Sequence, residues 1–530
     1  LGLCTHLCRQ RGRSCEKMRD TPRARKLQAL IRTLYGDIRE KELPRILFLS
    51  SLLCCIIGGF WLLDSLKDTV LATTVGLRYQ PKAKLISVVV TLFVVSGYTT
   101  LVRRIRHKPT LFYLIGGAYT LIFIIIGGLL AHETIGMRNT TPDPRRLVGW
   151  FSYFAVESYG SLMVALFWAF TNASVDADTA ESSYGLVVAF AQLGAVGGSA
   201  LATQARRLHI SFLYVLGGCS CALVCGMVAL FEYYFAEDST REEARKVASA
   251  VDESDDDEPP PPPVEKKAGL FDGLDLVLRH SYVFNLLMIS TLYEIVLTVL
   301  DFEMKIVGRA RYGADGRGAE EFARLMGQFG ILVNSVSFLF SLVLFSYVVR
   351  SLGVRSTLLV FPVLCLVATL LAYGFPSLWT LFIATALLKA LTYSLNEPAL
   401  EMLYLPTSND IKFKAKAWID VVGARTAKAL GSAINDAVQG NPGLRTSLPQ
   451  YGNVPTFVVS LALFGVALNM GRRYDTIKES GAIVGEEDAA PSGGYELVST
   501  APRNEGPWRR NLERLDSLDV DDDEELEDPR

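Results

Sequence analysis

An all-α membrane bundle of about twelve spans in two six-helix halves, major-facilitator-like, is the fold class the sequence predicts. Three observations predict it. The apolar residues gather into runs of roughly 18–25 residues, the length that crosses a ~30 Å hydrocarbon core. Of the 530 residues, 50% are hydrophobic and only 20% charged, with mean hydropathy +0.27, whereas soluble domains carry ~25% charged residues. A charged, proline-rich segment divides the apolar runs six and six, as in carriers built from two halves around a midplane site.

Along the chain, the first element is a basic segment, 1–44. Residues 1–46 hold twelve Lys/Arg against five acids. Beside a membrane span such a segment marks the cytoplasmic side or a targeting remnant. The Arg-rich start begins at Leu1, not at a Met, and suits a processed transit peptide, which makes the plastid envelope the first expected location. The plasma membrane or another organelle is the alternative.

Six spans follow within the first half, 45–236, near 45–65, 85–102, 110–131, 147–171, 183–203 and 211–235. The segment 237–268 holds an acidic run and five consecutive prolines, Pro259–Pro263, and reads as an extended linker without a core. The second half, 269–473, gives spans near 281–300, 327–349, 356–374, 378–396, 416–437 and 455–471. The eleventh is weak, because Asp420, Arg425 and Lys428 interrupt it. The tail 474–530 is polar and acidic and reads as disordered.

The nine cysteines form no framework; six lie in apolar runs without a nearby His, so no metal site is expected. There is no GK[ST] phosphate loop, HExxH or GxSxG, which removes the ATPase and hydrolase readings. No catalytic residue, cofactor or nucleic-acid partner is expected. An unfuelled polytopic chain exchanges solutes or uses an ion gradient.

Ionisable residues inside spans each cost ~2.5–3.5 kcal/mol at helix centre, so they face a cavity or a partner. The first span ends in Asp64-Ser-Leu-Lys67-Asp68, and Lys82 and Lys84 stand at the mouth of the second. Glu157 is deep in the fourth span, Glu294, Asp301 and Lys305 belong to the seventh, and Lys389 to the tenth. Lys67 and Asp68 could instead pair with each other near the interface, and Lys84 could snorkel to headgroups. Arg425 and Lys428 lie on a small-residue helix (GARTAKALGSA) and need an anion, an internal carboxylate or a substrate phosphate. Several cations in one cavity favour an anionic solute. From the residues alone, the reading stops at a carrier of an organic anion.

Four motifs take it further. Leu66-Lys67-Asp68-Thr69 resembles the L-[RK]-D-T element of the nucleotide transporter family, the plastid and intracellular-parasite type of ATP/ADP translocase. Glu157-Ser-Tyr-Gly-Ser with Phe167-Trp168-Ala-Phe-Thr-Asn172 is similar to that family's E-L-W-G-S … F-W-x-F-x-N. Glu397-Pro-Ala-Leu-Glu-Met-Leu-Tyr-Leu-Pro406 resembles D-P-x-K-E-M-x-Y-I-P. Lys412-Phe-Lys-Ala-Lys-Ala-Trp-Ile-Asp-Val-Val422 resembles K-V-K-G-K-A-x-I-D-V-V.

The resemblance implies that Lys84, Glu157, Asp301 and Lys428 are the transport-critical charges. Lys84 and Lys428 would meet phosphates, and Glu157 and Asp301 would set counter-ion or coupling character. Lys67, Asp68, Asn172, Lys305, Asp420 and Arg425 are secondary candidates. The implied solutes are ATP and ADP, exchanged across an organelle membrane by alternating access. The departures are Val70 and Leu400, where the family has Lys, and Asp301, where it has Glu. The alternatives are a proton-coupled importer of other nucleotides or organic phosphates, and a non-transporting membrane scaffold. Partners beyond nucleotide and the lipid bilayer, including oligomeric state, are left open.

Overall fold

The computed structural model describes residues 42–105, 108–174, 177–252, 270–312, 318–341, 345–408, 410–440, 453–480 and 482–485. Among the described residues, twelve principal helices carry the fold. In chain order they are α1 Leu43–Leu71, α2 Gln80–Arg104, α3 Lys108–Ala131, α4 Leu147–Ser174, α5 Ala177–Ala202, α6 Ile210–Asp252, α7 Ser281–Tyr312, α8 Gly318–Leu339, α9 Phe345–Gly374, α10 Leu378–Leu391, α11 Ala424–Gly440 and α12 Asn453–Ser480. Among the described residues the only β pairing is a single bridge, Thr407 to Val484.

By length and composition, nine helical stretches among the described residues can cross a membrane, the first of which, Leu43–Tyr98, takes in α1 and most of α2. The α5 helix contributes a shorter apolar stretch, Leu186–Ala202. The weak eleventh span has a physical reason. The chain is helical from 410 to 440 but passes through π-turns at Ile411–Ala415 and Ile419–Gly423 before α11. The α6 helix runs to Asp252, so the stretch from Glu237 is helical rather than extended; its Glu, Ala, Arg and Lys content favours that state. The five prolines, the basic segment and the acidic tail lie outside the described residues.

Local chemistry sets the helix ends. Pro44 and Pro81 occupy the first turns of α1 and α2, where a missing N–H costs nothing. Between them the chain turns through a π-turn, Ala72–Gly76, and one 3-10 turn, Leu77–Tyr79. Gly76 makes this possible with φ +110°, a conformation that L side chains avoid. The Arg146 guanidinium donates to the carbonyls of Thr73, Asn139, Thr141, Ile135 and Gly136, which fastens the loop after α3 onto the end of α1.

The helix partners repeat with an offset of six. The α1 helix packs on α4, α5 and α6, and α7 packs on α10, α11 and α12; α3 packs on α6 as α9 packs on α12; α2 meets α4 as α8 meets α10. The two sets meet through α5 with α8 and through α2 with α11. Buried apolar residues form two main clusters, one drawn largely from 46–231 and one from 277–474. Large apolar side chains such as Phe93, Leu121 and Val458 are exposed, as befits surfaces that meet lipid rather than water.

Small residues bring α1 and α5 together. A Cβ on Gly194 would strike the carbonyl of Cys54, and one on Gly198 that of Gly58. This G-x-x-x-G spacing is the close-approach device of membrane helices. Gly198→Leu is expected to cost about 1–3 kcal/mol, read as a lower melting temperature in detergent; an unchanged melt overturns the close-packing role.

Candidate functional site

The charges of the spans converge on the inner faces of α1, α2, α4, α7, α10 and α11. Lys67 donates to Asp64 one turn earlier, at 2.5 Å, and to Glu157 on α4. The ring of Tyr153 lies 5.2 Å from the same ammonium. Asp68, next in sequence, points the other way and meets Lys305 of α7 at 2.8 Å. Adjacent helical positions face different neighbours, so Lys67 and Asp68 do not pair with each other. Lys305 also holds Asp301, at 2.5 Å. Lys428 on α11 faces Glu294 on α7 at 3.4 Å.

Small residues again permit the approach that this last pair needs. Gly431 on α11 sits against Thr298 and the carbonyl of Ile295, and Gly423 against Leu287.

Three cations of this cluster have no carboxylate within ion-pair distance among the described residues: Lys84, Lys389 and Arg425. Lys84 is half-buried in α2, and its charged neighbours are Asp301, Lys305, Glu157 and Lys428. It therefore belongs to the interior and does not snorkel. Arg425 donates to the Ser161 hydroxyl at 3.2 Å, with Glu157 as its charged neighbour. Lys389 lies over the rings of Trp61 and Phe329, at 5.5 and 5.7 Å.

The structure thus brings Lys84, Glu157, Asp301 and Lys428 to one cluster, together with Lys67, Asp68, Lys305 and Arg425. Asp420 stays apart, exposed beside Lys416 and Glu401. Asn172 lies on the α4 backbone, and its side chain is outside the described residues. Val70 is fully buried and Leu400 nearly so; both are packed as core where the resemblance has lysines. The aromatic seat of Lys389 was not legible in sequence. The one available signal was a lysine inside an apolar run without an acid one turn away.

Access to the cluster is graded. Lys67, Asp68 and Lys305 show 4–9% side-chain exposure, against 30% for Glu157 and 43% for Lys428. Charges that exposed within a bundle face water rather than hydrocarbon. Polar contacts between the first six and last six helices gather at one end. Four are found there, Lys305–Asp68, Arg309 to the Thr73 hydroxyl, Lys82–Asp436 and Arg206–Glu321, while a fifth, Arg425 to the Ser161 hydroxyl, lies near mid-helix. Successive spans alternate direction, so the last turns of α1, α5, α7 and α11 and the first turns of α2 and α8 share that end. Among the described residues, no group of three or more His, Cys, Asp or Glu is arranged to hold a metal ion.

Comparison with known proteins gives three findings. The family described as TLC ATP/ADP transporter matches residues 150–385 and 377–461. A protein named ADP,ATP carrier protein 1 from Chlamydia pneumoniae is 23% identical over 516 residues, covering 87% of this chain and 98% of its own length. One named ADP,ATP carrier protein 3 from Rickettsia conorii is 20% identical, covering 77% of this chain and 89% of its own. Among solved structures, an auto-inhibited POT family peptide transporter superposes with a TM-score of 0.53 at 14% identity, over 82% of this chain and 96% of that one. That likeness concerns the fold alone. The two relatives are bacterial and lend no support to a plastid envelope.

Proposed function

We propose that this chain, which belongs to the TLC ATP/ADP transporter family, exchanges ATP for ADP by alternating access. Membership makes it an integral, multi-pass membrane transporter of nucleotides and not an enzyme. The exchange itself is our reading. It is carried by one observation, the three cations Lys84, Lys389 and Arg425 left without carboxylates beside the ion-paired Glu157 and Asp301.

A cation inside a bundle needs an anion. The polyphosphate of ATP or ADP supplies several negative charges in a row, matched to several cations on different helices. Until neutralised, those cations resist occlusion, because closing the bundle strips their water. A carrier with this property returns across the membrane only when loaded, which is exchange. The cluster of polar contacts at one end supports a bundle that closes there and opens at the other. Glu157 and Asp301 are each held by a lysine, which favours a fixed counter-charge role over proton coupling.

The test is uptake of labelled ATP into proteoliposomes with and without ADP inside. Uptake is expected to require internal ADP. Uptake that needs no internal nucleotide and follows a pH gradient overturns exchange and supports the proton-coupled importer. Absence of uptake of any nucleotide by folded protein supports the scaffold reading.

A further inference from the structure

Lys389 has a setting unlike that of any other cation in the cluster. It is half-buried near the end of α10. No carboxylate lies within ion-pair distance of it among the described residues, yet Asp301 counts it among its charged neighbours. Its ammonium is flanked by Trp61 of α1 and Phe329 of α8, whose side chains are 8% and 5% exposed. Aromatic faces attract a cation without neutralising it, at about 0.5–2 kcal/mol. A carboxylate in the same place would cancel the charge. The two rings therefore fix where the ammonium sits while leaving its charge and its N–H donors for another anion.

The place of that seat matters as much as its chemistry. Trp61 lies less than two turns, about 9 Å, along α1 from Lys67, and Lys84 and Lys389 are both charged neighbours of Asp301. Lys84, Lys389 and Arg425 stand on α2, α10 and α11, three separate walls around one group of carboxylates. A single phosphate needs one such cation; a chain of phosphates uses several.

We propose that Lys389 is a phosphate-binding residue of the transported solute, held for that purpose by the rings of Trp61 and Phe329, which act as positioning residues. The inference deepens the nucleotide-exchange reading and rests on it for the identity of the solute. The chemistry it needs is a polyphosphate anion.

The experiment measures binding of ATP and of inorganic pyrophosphate to the purified full-length chain in detergent, for wild type, Lys389→Met and Lys389→Arg. Methionine keeps the stem packed on the rings and removes the charge. Loss of one charge-assisted contact weakens binding by about tenfold or more. That loss is expected for Lys389→Met with an unchanged melting temperature, whereas Lys389→Arg, which keeps a cation over the two rings, is expected to bind more tightly than Lys389→Met.

A second measurement uses wild type alone and does not depend on any variant folding. Amine acetylation read by mass spectrometry is expected to fall at Lys389 when pyrophosphate is added. Wild-type affinity in Lys389→Met, or acetylation at Lys389 that ignores both ligands, overturns the proposal and leaves the exchange reading intact. Pyrophosphate binding that depends on Lys389 without any ATP binding keeps the phosphate seat and overturns the nucleotide. Binding of neither ligand by folded wild type overturns both.

Discussion

Lys84→Gln, reconstituted into liposomes, is expected to fold normally and to lose about 10- to 150-fold in nucleotide uptake efficiency, the consequence of one missing charge–phosphate contact of about 1.5–3 kcal/mol. Unlike Lys67, Lys305 and Lys428, Lys84 has no carboxylate within ion-pair distance among the described residues. Its charged neighbours, Asp301, Lys305, Glu157 and Lys428, include two lysines, and the carboxylates among them are already held by Lys305 and Lys67. Removing its charge therefore orphans nothing, and the melting temperature is expected to hold or rise. Lys428→Ala is a less clean test of the same idea, because it strands Glu294, whose side chain is only 16% exposed. The double variant Lys428→Met with Glu294→Gln removes both charges and separates the lost phosphate contact from the stranded acid. Uptake by folded Lys84→Gln within twofold of wild type sinks the role assigned to Lys84.

The same contrast explains what was legible in sequence. Charge inside an apolar run is costly, so Glu157, Asp301 and Lys428 announce themselves without coordinates. Pairs one turn apart are legible too: Asp64 with Lys67 and Asp301 with Lys305 follow from i,i+3 and i,i+4 spacing. Which helix faces which is not legible. Lys67 with Glu157 and Lys305 with Asp68 join residues far apart in the chain. Adjacent positions on α1 point about 100° apart, so which of Lys67 and Asp68 faces α4 and which faces α7 depends on the rotation of α1, and only packing fixes that rotation. The glycines of α5 and α11 were visible as small residues, but the helices they admit, α1 and α7, were not.

The limits of the apolar signal are visible in α11. A helix that lines a polar interior through Arg425 and Lys428, and whose small residues serve close packing, has few positions left for lipid-facing side chains. Its span was therefore weak for the same reason that it belongs to the site. The α6 helix makes the opposite point. It continues to Asp252 on helix propensity after its apolar signal ends, so a hydropathy boundary placed its end too early. The departures at Val70 and Leu400 are also clearer in three dimensions. Both side chains are packed in the core, so a lysine at either site would need a rearranged neighbourhood, and restoring the cation alone is no simple gain.

Lys305→Met is expected to have the largest stability effect of any single substitution in the cluster, about 3–5 kcal/mol, read as an early thermal melt in detergent. Lys305 is 9% exposed and, like Lys67, holds two carboxylates, but its own are the more deeply buried, Asp68 at 4% and Asp301 at 13% exposure against 18% and 30% for Asp64 and Glu157. Asp68 and Asp301 each have the second oxygen buried without a hydrogen-bond partner, so neither has a reserve. Removing the ammonium leaves two like charges facing each other where water does not reach, and that penalty exceeds the loss of any one bond. Asp68→Asn is milder, because Lys305 keeps Asp301; its cost falls on the link between α1 and α7. The triple neutral variant, Asp68→Asn, Asp301→Asn and Lys305→Met, removes the stranded charges together and is expected to melt well above Lys305→Met alone. A triple variant that melts as low as the single one refutes the electrostatic account and assigns the loss to packing of the lysine stem.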